Sequence, residues 1–208
     1  MAVSAELLQH LLGDSLSPDA RVILTNLVES AAKSNEVLAA ATHYAMALRT
    51  GDYSWRRVKV SGVVRDAIAA LAREIRESDA NITCGELPEV RADRDRLLEL
   101  FRRLIDNSLK YRGPAPARIE IEAQRLPVQN QHELAFQFSV HDHGIGIHQK
   151  FQSELFRPFR RLHGPEIPGV GLSLVICRKI VEAHGGTLWI ESDAGKGVTV
   201  FFALPATA

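Results

Sequence analysis

The sequence predicts an α+β fold: a two-layer α/β sandwich, with helices on one face of a mixed, mostly antiparallel sheet, preceded by a helical-hairpin segment. Three observations carry this expectation. Residues 5–50 place apolar side chains at helical spacing. From Trp55 onward, runs that alternate apolar and polar residues are interspersed with amphipathic helices. The chain then closes on two strands around a glycine turn, Asp193-Ala194-Gly195-Lys196-Gly197. Helices and mostly antiparallel strands in this order build a sheet covered on one side.

Ala5–Leu12 is an apolar helical run, and Gly13 to Pro18 stops and restarts it, with Ser17 as N-cap and Pro18 at the first helical position. Leu24, Leu27, Val28, Ala31, Leu38, Ala41, Ala45 and Leu48 follow at spacings of three, four and seven. One helix cannot bury such a stripe alone, so a hairpin, a dimer or both are expected. Thr50-Gly51-Asp52 ends the helix. Trp55–Val60 reads as a strand, Ser61 as the cap of a helix to about Arg76, and Asn81–Cys84 as another strand. Asp93 caps a helix over Arg94 to Tyr111 whose buried side carries Leu97, Leu98, Phe101, Leu104, Ile105 and Leu109. Arg118–Ala123 and Glu133–Val140 alternate, the second through Leu134, Phe136, Phe138 and Val140, with a polar hairpin loop between them. Leu172–Ala183 is helical, and Leu188–Glu191 and Val198–Leu204 are the closing strands.

The 208 residues suit one main domain plus a helical appendage, divided at about 52/53. The 25 basic and 25 acidic side chains cancel, so no net field draws the chain to nucleic acid or an acidic membrane. Cys84 and Cys177 lie far apart, as in a reducing compartment. No apolar run is long enough to span a bilayer and the start lacks the pattern of a signal peptide, so a soluble, cytoplasmic chain is expected.

Three constellations carry chemistry. In Leu104-Ile105-Asp106-Asn107-Ser108-Leu109-Lys110-Tyr111, Asn107 offers a neutral oxygen suited to Mg²⁺ beside a polyanion, and Lys110, one turn on, can reach a phosphate. A solvated helix face is the plainer alternative. In His141-Asp142-His143-Gly144-Ile145-Gly146-Ile147, a carboxylate at a strand end can accept from an exocyclic amine such as adenine's, and Gly144 and Gly146 permit close backbone approach. The alternatives are a plain glycine turn, or a metal site of His141, His143 and His148. In Pro168-Gly169-Val170-Gly171-Leu172-Ser173-Leu174, glycines open a helix whose free N–H groups can hold an anion, although ordinary turns produce the same pattern.

Together and in this order, the three resemble the ATP-binding domain of sensor histidine kinases, of the GHKL ATPase superfamily, with a phytochrome-like flavour. LIDNSLKY resembles the N box, DHGIGI the first glycine box, ELFRPFRRL the F box and GVGLSL the second glycine box, and Val175–Pro205 resembles the family's closing segment. The similarity spans about residues 55–205. Residues 5–50 are similar to the end of the first helix and all of the second helix of a dimerisation and histidine-phosphotransfer hairpin, so residues 1–52 would be part of that hairpin and 53–208 the catalytic domain.

The resemblance implies ATP and Mg²⁺ as cofactors, a homodimer through the N-terminal helices, and a response-regulator receiver domain as partner. It implies that Asn107 ligates Mg²⁺, that Lys110 contacts a phosphate and that Tyr111 packs beside the nucleotide. Asp142 would read the adenine amine, with Gly144 and Gly146 lining the base pocket. Phe156 and Phe159 would anchor a lid over about 160–170, unless they are ordinary core aromatics. Gly169 and Gly171, with Leu172 in the same box, would let that lid fold over the triphosphate. Arg160 and Arg161 would screen the γ-phosphate or stand as basic surface.

The sequence departs from the family pattern in three places. Arg103 replaces the usual Asn or Glu; an arginine is no general base, and this one would weaken Mg²⁺ binding or add a phosphate contact. Ser173 replaces a glycine and would stiffen the hinge or restrict backbone approach. No phosphoacceptor histidine motif is visible: His10 and His43 both lack an acidic neighbour, so the chain is a fragment or has lost autophosphorylation. The expected activity is phosphoryl transfer from ATP to a protein histidine. A degenerate nucleotide-binding or dimeric interaction module, and a serine kinase or ATPase of the same superfamily, are the alternatives.

Overall fold

The computed structural model describes residues 17–48, 53–127, 134–162, 164 and 167–205. The expected helix over Ala5–Leu12, His10, the break before Leu16 and the Thr50-Gly51-Asp52 stop lie outside them. So do the whole 128–133 segment with Glu133, lid positions 163, 165 and 166, and the side chains of His43, Leu48 and Leu134. The chain divides into two compact units between Ala45 and Met46.

The first unit is described by one long helix, α1 (Pro18–Leu48, 31 residues). Ser17 caps it as expected, its Oγ accepting the Ala20 N–H at 3.2 Å. Val22, Ile23, Leu27 and Leu38 on this helix are between 56% and 65% exposed. No helix among the described residues is long and apolar enough to cross a membrane.

The second unit contains β1 (Trp55–Lys59), α2 (Val60–Ala70), α3 (Ala72–Glu77), β2 (Asn81–Cys84), β3 (Glu89–Asp93), α4 (Arg94–Lys110), β4 (Arg118–Arg125) and β5 (Leu134–Asp142). A 3₁₀ turn (Gln149–Glu154), α5 (Ser173–Ala183), β6 (Thr187–Ser192) and β7 (Val198–Pro205) follow. Five strands form one sheet in the order β2-β4-β5-β7-β6; β2 runs parallel to β4 and the remaining pairs are antiparallel. β1 and β3 form a separate antiparallel ribbon.

Period-two alternation decides which face is buried. Ile119 and Ile121 of β4, Phe138 and Val140 of β5, and Val200 and Phe202 of β7 point into the core, while Glu120 and Glu122 are exposed. The helices α4 and α5 cover that face, with α2 packed on α4. Phe101 of α4 sits edge-on to Phe138 and Phe202, and those two rings stack at 4.8 Å. Each such buried ring contributes roughly 1.5–3 kcal/mol.

The start of α4 is held firmly. Asp93 accepts from the Asp95 and Arg96 N–H groups on one oxygen and from Ser54 on the other. A cap of this kind is worth about 1 kcal/mol. The Asp93 N–H donates to His184 Nε2 at 3.1 Å, and His184 Nδ1 lies 2.7 Å from the Ile180 carbonyl, which requires the neutral ring protonated at Nδ1. Burial accordingly holds the His184 pKa below its ordinary value.

Three expectations are corrected, and one strand was missed. Ser61 is not a cap: α2 begins at Val60, directly from β1, and the Val60 N–H is taken by the Pro88 carbonyl, so the ribbon sets that boundary. The run to Arg76 is two helices, broken at Leu71 (φ −110°, ψ 19°). Leu98 is only half-buried; Leu100 takes its place on the core face. The strand Glu89–Asp93 was not expected: it alternates, but over five residues it offers only Val90 and Ala92 as apolar signal.

Candidate functional site

The C-terminal turn of α4 is where the first two constellations meet. Asn107 is half-buried there, and its side-chain amide makes no hydrogen bond among the described residues. Lys110 Nζ is 2.7 Å from Asp106 Oδ2, an i,i+4 pair on the same turn. Ser108, one residue beyond Asn107, is buried, with its Oγ 3.1 Å from the Leu104 carbonyl and 3.2 Å from Asp142 Oδ2.

Asp142 ends β5 on the core side, 7% exposed. Its Oδ1 accepts from the Gly144 N–H at 2.9 Å and the Val198 N–H at 3.2 Å. Burial raises its pKa above the ordinary carboxylate value, opposed first by these backbone donors and then by Ser108. One lone pair of Oδ2 remains for a further donor.

The glycine loop after Asp142 is held by backbone on two sides. The Ile145 N–H donates to the Tyr111 carbonyl at 3.0 Å, and the Ile145 carbonyl accepts from Gly195 at 2.8 Å. A Cβ on Gly144 would come within 2.4 Å of the Tyr111 carbonyl oxygen. One on Gly146, whose φ is 65°, would come within 2.0 Å of the Asp193 carbonyl oxygen. Both glycines are therefore required by the protein's own packing. Tyr111 caps α4, its phenol pKa raised by burial and pulled down first by Arg161.

The glycine box before α5 interlocks with the segment from Phe156 to Arg161. The Phe159 N–H donates to the Gly171 carbonyl at 3.1 Å, and a Cβ on Gly171 (φ 76°) would lie 2.5 Å from the Arg160 carbonyl oxygen. Gly169, at φ 145°, has open space around it. Leu172 is buried, and α5 starts at Ser173 with no side-chain cap, leaving its first N–H groups free for an anion. Ser173 has no positive φ, so the glycine it replaces supplies no conformation that serine lacks here.

Neither aromatic of this segment is a core residue. Phe156 is half-buried beneath the Arg178 guanidinium, and Phe159 is 54% exposed with φ 62°. Arg160 pairs with Glu154 at 2.6 Å, and Arg161 donates to the Gly164 and Ile167 carbonyls.

Arg103 points away from this end of α4. Its Nε and Nη2 lie 3.1 and 2.9 Å from Glu99 Oε1, one turn upstream, and its side chain is only 13% exposed. The three histidines weighed as an alternative metal set do not form one: His141 and His143 meet edge-on with ring centroids 4.5 Å apart, but no group of three possible metal ligands is present among the described residues. His141 bonds Thr199, His143 bonds Glu120, and His148 caps its own 3₁₀ turn.

Sequence reasoning missed two participants. Ser108 bridges α4 to Asp142. The Ser192–Gly197 turn supports the glycine loop: Ser192 Oγ accepts from Ile147 and donates to Gly197, and a Cβ on Gly197 would lie 1.8 Å from the Asp142 carbonyl oxygen. The pair Gly195 and Gly197 was visible as a turn, yet nothing in the sequence says which loop it carries.

The comparisons agree with this geometry. The chain is 35% identical over 201 residues to cyanobacterial phytochrome A of Nostoc sp. (strain PCC 7120), covering 96% of this chain and 25% of that protein. It is 41% identical over 147 residues to phytochrome-like protein Cph1 of Synechocystis sp. (strain PCC 6803), covering 70% and 19%. The chain thus spans a quarter or less of the length of these relatives. The catalytic domain of histidine kinase ThkA superposes with a TM-score of 0.62 at 25% identity, over 74% of this chain and 99% of that structure. Residues 92–208 match the family described as histidine kinase-, DNA gyrase B-, and HSP90-like ATPase, and the chain belongs to that family.

Proposed function

We propose that this chain is the catalytic region of a protein-histidine kinase of two-component signalling, binding Mg-ATP at the C-terminal end of α4. The observation that carries the reading is the convergence of a partner-free amide, Asn107, with a buried, multiply anchored carboxylate, Asp142, through Ser108. Asp142 Oδ2 accepts from the adenine amine, and Gly144 and Gly146 bring backbone to the base. Asn107 supplies an oxygen to Mg²⁺, a hard cation that keeps waters and phosphates as its other ligands. Lys110 exchanges Asp106 for a phosphate, and Tyr111 packs beside the nucleotide. The uncapped start of α5, with Gly169, Gly171 and Leu172, receives the phosphates, and the Phe159–Gly171 contact is the hinge of the lid. ATP supplies the phosphoryl group, and positioning with charge stabilisation is most of what the protein contributes.

Arg103 and Glu99 neutralise one another and Asp106 is paired with Lys110, so these carboxylates are not free bases for activating water. That favours transfer over hydrolysis. Titration calorimetry is expected to show one Mg-ATP site per chain with a dissociation constant below millimolar. Absence of heat at millimolar nucleotide would leave only a non-binding interaction module.

Residues 1–52 belong, in this reading, to the dimerisation and phosphotransfer hairpin, and 53–208 to the catalytic domain of a cytoplasmic protein serving a response-regulator receiver domain. The exposed stripe of α1 supports a homodimer through the N-terminal helices. Leu27→Glu with Leu38→Glu is expected to convert the dimer to a monomer in sedimentation analysis; a monomeric parent chain would remove the proposal.

A further inference from the structure

The β1–β3 ribbon lies apart from the nucleotide site and is built in a way that stability alone does not explain. On its inner face Val58, Val90 and Ala92 are buried, and only Arg56 at one end is exposed. Alternation places Trp55, Arg57 and Lys59 on the outer face, opposite Asp93, Arg91 and Glu89 in the antiparallel register. Arg57 therefore faces Arg91 directly, and like charges directly opposite across a ladder are destabilising. Arg91 makes no ion pair among the described residues. Glu89 is divided between Arg57 at 3.3 Å and Lys59 at 3.8 Å, and Asp93 is occupied in capping α4. The outer face thus presents three cations against one available carboxylate, in a chain whose total charge is zero.

These cations stand well out from the surface, the Arg57 and Lys59 side chains being 85% and 78% exposed. At the head of the row Trp55 is 39% exposed, its ring supported from beneath by Tyr53 at 5.5 Å and His184 at 4.9 Å. A rigid, half-exposed tryptophan beside arginines has the composition of an interface anchor.

We propose that the outer face of this ribbon docks an acidic segment of a protein partner, with Arg57 and Arg91 taking carboxylates and Trp55 taking an apolar side chain next to them. A single row about 17 Å long, five residues at roughly 3.4 Å each, matches a short extended segment. The chain as a whole is neutral and supplies no field for a long polyanion or a charged bilayer.

The probe is a fluorescein-labelled twelve-residue peptide of Glu and Asp with one central Leu, titrated with the full chain in 0.15 M NaCl and read by anisotropy and tryptophan emission. Arg57→Thr with Arg91→Thr is expected to weaken the peptide about tenfold while leaving Mg-ATP affinity unchanged. The same variant is expected to melt no lower than the parent, because it removes the opposed charges. Arg73→Thr with Arg76→Thr on α3 serves as the control and is expected to leave peptide binding within about twofold. Equal loss in both variants, no peptide binding at millimolar concentration, or Arg57/Arg91-dependent binding to phosphatidylserine vesicles in place of the peptide would each overturn the proposal. Unaltered Mg-ATP binding keeps this outcome separate from that of the kinase reading.

Discussion

Asp142→Asn is expected to leave the domain folded and to weaken Mg-ATP binding by about a hundredfold or more. Oδ1 of the new amide still accepts from Gly144 and Val198, and its nitrogen donates to Ser108, whose own hydrogen can go to the Leu104 carbonyl. Every internal partner is kept, and a buried charge is removed. What changes is the group offered to the base: an N–H now faces the adenine amine, so two donors oppose each other. A hydrogen bond to a charged group is worth about 1.5–3 kcal/mol, and leaving a buried donor unpaired costs about 1–3 kcal/mol more. Binding within threefold of the parent would remove Asp142 from the site. The pH dependence has a definite sign. Because burial raises the folded-state pKa, ionising Asp142 costs stability at neutral pH. That cost is relieved as pH falls through the raised value towards the ordinary carboxylate range. Adenosine has no titrating phosphates, and its affinity is expected to fall over the same interval in which this contribution to stability rises.

Asn107→Asp is expected to slow phosphoryl transfer to a histidine-bearing dimerisation domain by more than about a hundredfold, with a smaller loss of nucleotide affinity. The added charge sits beside the polyphosphate, and a unit charge at about 4 Å is worth roughly 4 kcal/mol at an effective dielectric of 20. It also competes for Lys110. That ammonium already pairs with Asp106 four residues upstream, and a second carboxylate three residues upstream would hold it away from the phosphates. Labelled ATP and a rapid-quench assay measure the rate; transfer at the parent rate would overturn the assignment of Asn107.

Much of this was legible in the residues. The three glycine- and carboxylate-bearing segments, the Asp93 and Ser17 caps, and the strands from Arg118 onward all follow from local pattern, because each depends on neighbours within about four residues. The errors have a common cause. Ser61 looks like a cap only until the β1–β3 ribbon fixes the start of α2 at Val60. Arg103 looks available to a phosphate only until Glu99 is seen to hold it one turn away.

The sequence by itself determined the period of most elements, and with it the α+β class, most of the buried faces and the candidate carboxylate and amide. Those properties arise from spacing along one chain. Only the tertiary structure decided that Ser108 joins α4 to Asp142, that Gly197 lets β7 begin against the Asp142 carbonyl, and that Arg57 opposes Arg91. Each of these unites residues 34 or more positions apart, a proximity that packing creates and local periodicity does not encode.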